Sequence, residues 1–276
     1  NTHYGTTGYH PLVAFDGLTG LFLGAELRPG NVYTSNNAEV FLADIISQHK
    51  QHSCDMFLTV RGDSGFAKPE IYELCEQEKV KYIIRLKVNA RLKNMAQQKV
   101  LYGPDTDFTH KESQYFKIDY QAKSWETVRK VAVKATREAG ELLFTTFEFI
   151  VSNFVDIPAQ TVYKLYQKRG TMENYIKEIK HGFSFDKTDS STFLANQARM
   201  MMSCIAYTVI HLMKELTFPD KEKKSTVATI RFKVFHIAGR LTRHARKIKV
   251  RLSTGYVFSS LFWTILENIQ QLVLLH

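Results

Sequence analysis

Residues 9–27 form two strand-like runs, YHPLVAF and LFLGAEL, around the Gly- and Asp-containing segment DGLTG. This pattern predicts a β-hairpin, with Pro11 near the start of its first strand, where an edge position tolerates it. RPGNVYTSNN then reads as a loop. Ser35, Asn36 or Asn37 is placed to cap a helix running to about Lys50, with Phe41, Leu42, Ile45 and Ile46 facing the core. MFLTV at 56–60 predicts a buried strand, and RGDSGF breaks it. A helix from about Pro69 to Lys79 and a strand KYIIRLK at 81–87 follow. Strand, helix and strand with little intervening chain indicate an α/β core.

Residues 90–112 read as polar and irregular. From 114 to 153 the runs QYFKIDY, TVRKVAVKA and LLFTTFEFIVSN predict strands. Helical periodicity returns at about 171–182 and at 191–216. The second of these is apolar over much of its circumference and is expected to pack on several sides. FPDKEKKST is a solvated link, and FSSLFWTILENIQQLVLL predicts a final helix.

Composition narrows the function. Across 276 residues, 37 Lys and Arg against 27 Asp and Glu leave a net charge of +10, which favours a polyanionic partner. Cys54, Cys75 and Cys204 are widely spaced, have no zinc spacing and read as inert thiols in a reducing compartment. The apolar run Met200–Met213 is too short to cross a bilayer. No signal peptide is visible, and an opening without Met suggests an internal start.

Two segments carry candidate chemistry. Asp63 in RGDSGF follows a predicted strand, where α/β proteins often build sites; a turn Asp accepting local backbone bonds is the alternative. In YQKRGTMENYIKEIK, helical spacing brings Glu173, Lys177 and Lys180 to one face. An acid among cations suits a site where a metal meets a phosphate backbone: Glu173 on the metal, Arg169 and Lys180 on phosphates. The alternative is a solvated helix with Glu–Lys pairs.

Together these segments resemble the DDE transposases of bacterial insertion sequences, in the group with a tyrosine–arginine–glutamate–lysine signature. The signature residues here are Tyr166, Arg169, Glu173 and Lys180. YHPLVAFDGLTG, LRPGN, RGDSGF and STFLANQARMM extend the likeness over nearly the whole chain. The resemblance implies a ribonuclease H-like catalytic core interrupted by a β-rich insertion, with C-terminal helices. Residues 1–89 and 161–218 would form the core, 90–160 the insertion and 219–276 a basic, helical C-terminal region. It implies Asp63 as the second catalytic Asp and Glu173 as the final Glu, both ligands of two Mg²⁺ ions, with Mn²⁺ as substitute. Tyr166, Arg169, Lys177 and Lys180 would contact DNA or organise the site.

The first catalytic Asp of such enzymes is expected upstream of residue 1, so this exact chain is expected to be impaired. Asp16 is the substitute within the chain, but DGLTG reads as a turn. The resemblance further implies cleavage at transposon ends and 3′-hydroxyl strand transfer into double-stranded target DNA. It allows a homodimer on paired ends and implies a cytoplasmic location on bacterial DNA. A metal-dependent nuclease of the same fold and an inactive DNA-binding remnant are the competing readings. Two further features bear on DNA. Trp125 in the insertion would either stack on a displaced base or pack within the insertion's own core. The run RLTRHARKIKVR offers Arg240, Arg243, Arg246, Lys247, Lys249 and Arg251 to track phosphates, or forms a solvated basic surface.

Overall fold

The computed structural model describes residues 8–52, 57–103 and 107–272. In chain order its elements are β1 (Leu12–Phe15), β2 (Phe22–Glu26), α1 (Ala38–His52), β3 (Thr59–Gly62), α2 (Pro69–Gln77), β4 (Lys81–Leu86), α3 (Ala90–Gln97), β5 (Glu112–Tyr120), β6 (Arg129–Arg137), β7 (Thr146–Ser152), α4 (Ala159–Gln167), α5 (Gly170–Phe183), α6 (Phe193–Thr217), α7 (Val227–Ile230), β8 (Gly239–His244), β9 (Lys247–Leu252) and α8 (Ser259–Gln271). The α/β class expected from the patterning holds. The chain divides into two compact units, residues 1–12 with 26–171 and residues 13–25 with 172–276.

The first unit is built on a five-stranded sheet in the order β3-β4-β7-β6-β5. β3 and β4 pair in parallel, connected through α2, and the remaining pairs are antiparallel. Residues 90–160, read from sequence as an insertion, thus supply three strands of the same sheet that carries β3 and β4. β6 lies inside it, with Val131, Val133 and Ala135 buried on the face that joins the main core. Ala132 and Ile150 on the other face meet Ala159, Val162 and Tyr163 of α4.

Several sequence expectations need correction here. The strand expected at 56–60 runs from Thr59 to Gly62 at the sheet edge, and Phe57 before it is 70% exposed. An edge strand has one paired neighbour, so it need not be buried on both sides; Met56 lies outside the described residues. The stretch 90–112 is not wholly irregular. Asn89 caps α3 by accepting from Leu92 N–H at 2.8 Å, and Leu92 and Ala96 turn inward. A helix precedes the expected one at 171: Ala159, Val162 and Tyr163 recur at helical spacing and build α4 directly after Pro158.

Trp125 is a core residue. It is 7% exposed, stands edge-on to Tyr72 and Tyr120 at 5.3 and 5.4 Å, and faces the Arg129 guanidinium at 5.4 Å. Its ring is enclosed by these neighbours, which corrects the base-stacking reading in favour of packing.

In the second unit β1 and β2 form the expected hairpin. Asp16 organises its turn, accepting from Leu18 N–H at 3.0 Å and Thr19 N–H at 3.2 Å, while Gly20 adopts a positive φ of 80°. Asp16 is thereby a structural turn residue. Tyr207 Oη donates to Gly20 O at 2.8 Å and ties α6 to that turn. α6 departs from the all-round burial expected of it. Met200, Cys204, Tyr207 and His211 are buried along one face, while Met202, Ile205, Val209, Leu212 and Leu216 are exposed. A second cluster, Phe218, Ile230, Val234 and Ile265, joins the C-terminal segments including α8.

Cys75 and Cys204 are free and buried, and burial pushes both thiols up to about 12, which suits inert thiols. Cys54 lies outside the described residues. No helix among the described residues is long and apolar enough to cross a membrane.

Candidate active site

The site grows from the end of β3. The strand stops at Gly62, and Asp63 opens a single 3-10 turn, Ser64–Phe66. One carboxylate oxygen of Asp63 accepts from Gly65 N–H at 2.8 Å. The other accepts from Arg169 Nη2 at 3.1 Å. One oxygen of Asp63 thus serves the local turn, and the other the ion pair with Arg169. Glycine at 65 avoids a tight approach: an added Cβ would lie 3.0 Å from Thr34 Cγ2 and from the Asp63 carboxylate. Gly62 has the same constraint from Phe66 Cβ at 3.1 Å.

Arg169 and Tyr166 come from the end of α4 and the residues after it. Arg61 Nη1 donates to Leu165 O at 3.1 Å and fixes that end of α4 to β3. Tyr166 is half-buried, and desolvation raises its hydroxyl above the ordinary value against the opposing charges of Arg169 and Arg85. It is therefore a neutral hydroxyl at physiological pH.

Asp63, Tyr166 and Arg169 line a cavity of about 960 Å³ that is closed on another side by residues 30–34 and also lined by Arg85 and Lys87. The loop is shaped by Arg28, which is 4% exposed. Its guanidinium donates to His10 O, Asn36 O and Thr34 O at 3.1, 2.8 and 3.1 Å. The LRPGN segment is thus a device for holding one wall of the cavity. Arg85 and Lys87 were missed from sequence. The available signal was Arg85, which interrupts the apolar run of β4 and is exposed there. Among the described residues lining the cavity Asp63 is the one carboxylate, against Arg85, Lys87 and Arg169; Arg85 also pairs with Glu148 at 3.4 Å, and the lining is cationic and suited to phosphate.

Glu173, Lys177 and Lys180 belong to the second unit. They lie on the exposed face of α5, while Ile179 on the opposite side is fully buried. The helical spacing read from sequence is thus realised. The basic run is a β-ribbon rather than part of a helical region. Arg240 and Arg243 lie on β8, Arg246 in the turn, and Lys247, Lys249 and Arg251 on β9.

A divalent ion such as Mg²⁺ takes hard oxygen donors and accepts one or two carboxylates together with phosphate oxygens. Asp63 matches that donor chemistry in kind and falls short in number. No group of three or more His, Cys, Asp or Glu fit to hold a metal occurs among the described residues.

The fold and this cavity define an α/β domain with one carboxylate at a strand end inside a phosphate-compatible lining. The chain belongs to the DDE transposase domain family: residues 1–274 match the family described as Transposase DDE domain group 1. One similar solved structure is that of a piggyBac transposase synaptic complex with hairpin DNA, at a TM-score of 0.43 and 11% identity. The match covers 73% of this chain and 40% of that one, so this chain spans less than half of that protein's length. None of the curated proteins matches.

Proposed function

We propose that this chain carries catalytic residues of a DNA transposase that cleaves at transposon ends and joins the freed 3′-hydroxyl to target DNA. The observation that supports this most is the Asp63–Arg169 contact at 3.1 Å. It joins the RGDSGF segment to the tyrosine–arginine–glutamate–lysine signature across 106 positions of sequence. Local patterning gives no reason for two such distant motifs to meet.

In this reading Asp63 and Glu173 are metal-binding carboxylates, with a further Asp completing the set. Two Mg²⁺ ions, or Mn²⁺, would activate the attacking oxygen and stabilise the leaving one. Arg169 holds Asp63 in place and brings a guanidinium suited to a phosphate oxygen. Arg85 and Lys87 add positive charge along the path of the strand. Tyr166, kept neutral, donates a hydrogen bond without adding charge. Lys177 and Lys180 flank Glu173 on its helix face and engage neighbouring phosphates. Two copies of the chain would serve two element ends.

The test uses the full-length protein, a 3′-labelled duplex bearing its own element end, and target DNA. The expected result is a joined product that requires Mg²⁺ or Mn²⁺ and disappears when EDTA removes the ion. Release of the labelled end without joining would favour a nuclease. An absence of both would favour a DNA-binding remnant.

A further inference from the structure

The ribbon β8–β9 has two unlike faces, set by its register. Arg240 pairs with Arg251, Thr242 with Lys249 and His244 with Lys247. Side chains alternate across a strand, so these three rungs project to one side. Leu241 pairs with Val250 and Arg243 with Ile248, and these rungs project to the other. One face thus carries Arg240, Lys247, Lys249 and Arg251; the other is apolar apart from Arg243.

Like charges placed directly opposite across a ribbon repel. Here Arg240 faces Arg251, and no carboxylate forms an ion pair with any of the four cations among the described residues. All four are exposed. Among the described residues this concentration of charge on one side has no carboxylate partner, and it is complementary to a polyanion. A two-stranded ribbon fits the major groove of duplex DNA, where its cations reach phosphates on either side.

We propose that the β8–β9 ribbon is a duplex-DNA docking element that engages phosphates through its Arg240–Lys247–Lys249–Arg251 face, without reading sequence. The inference rests on the reading that this chain acts on DNA, and deepens it by assigning the contact to one face of one element. Arg243, in the same basic run but on the opposite face, takes no part.

The experiment measures binding of the full-length protein to a fluorescent duplex of arbitrary sequence, without divalent ions, as salt rises. Each phosphate contact contributes about 0.9 to the slope of log affinity against log salt. The triple variant Arg240→Gln, Lys249→Gln, Arg251→Gln is expected to lower the slope by about 2.7. Between 50 and 200 mM salt the wild-type affinity then falls by a factor about 40 greater than the variant's. Arg243→Gln is expected to leave the slope within about 0.3 of wild type, and circular dichroism to be the same for all three proteins.

A triple variant with the wild-type slope overturns the proposal and leaves the transposase reading intact. So does an Arg243→Gln protein that loses as much as a single phosphate contact. A loss seen on phosphatidylserine vesicles but not on duplex DNA assigns the face to a membrane and overturns the proposal. Wild-type protein that binds no duplex overturns the DNA reading as a whole.

Discussion

Replacing Asp63 by Asn is expected to reduce strand joining by the full-length protein about a thousandfold while leaving it folded. The amide oxygen of Asn can still accept from Gly65 N–H, so the 3-10 turn at Ser64–Phe66 should persist. What is lost is the negative charge that answers Arg169 and supplies a hard ligand. Weakening charge stabilisation by about 4 kcal/mol corresponds to roughly that thousandfold loss. Glu173→Gln should give a similar loss, since Glu173 is exposed on α5 and its removal costs little packing. The measurement is the initial rate of joined product, with a urea unfolding curve to show that stability is kept. An Asp63→Asn protein that joins ends at more than a tenth of the wild-type rate would remove Asp63 from the site.

Arg28→Ala is expected to destabilise the first unit by about 3 kcal/mol. Three backbone carbonyls, those of His10, Thr34 and Asn36, accept from this one guanidinium. Hydrogen bonds to a charged group contribute about 1.5–3 kcal/mol each, and the three are not additive because one side chain makes them all. Burial lowers the Arg28 guanidinium from its ordinary value, with Glu26 opposing, yet Arg remains charged at any working pH. The missing contacts would therefore not be recovered by changing pH. Since residues 30–34 form a wall of the cavity, joining activity should fall along with the urea midpoint. A midpoint shift equivalent to less than about 0.5 kcal/mol, within the range of ordinary surface substitutions, would contradict the anchoring role.

The hairpin at the start of the chain was legible because its turn carries Asp16 and Gly20, whose backbone preferences are local. Helices α1, α2, α5, α6 and α8 were legible from apolar spacing. α3 was not, since only Leu92, Met95 and Ala96 mark its inner face over eight residues. The ribbon β8–β9 was hidden for a different reason. Its two-residue turn is Ala245–Arg246, both at positive φ, where hairpins ordinarily place Asn or Gly. Its strands also read as one basic run, because the alternation is between cations and isolated apolar residues. Continuity of β7 with β4 depends on pairing between residues about 67 positions apart, such as Ile84 with Val151, which periodicity cannot convey.

The site divides in the same way. Asp63 stood out by its place after a strand, and Tyr166, Arg169, Glu173 and Lys180 by their spacing. Arg85, Lys87 and Arg28 did not, because their part in the cavity depends on which loops and strand ends meet there. Trp125 carried a conspicuous aromatic signal whose meaning lay in its neighbours, Tyr72, Tyr120 and Arg129.

The central claim is that Asp63 holds a catalytic metal in a DNA-joining site. Its most direct test is Asp63→Cys in the full-length protein, assayed for joining in Mg²⁺ and in Mn²⁺. A thiolate is a softer ligand than a carboxylate and suits Mg²⁺ poorly, while Mn²⁺ tolerates it better. The expected result is loss of joining in Mg²⁺ with a partial return in Mn²⁺, and no such return for Asp63→Ala. Equal activity of Asp63→Cys and wild type in Mg²⁺ would contradict the assignment.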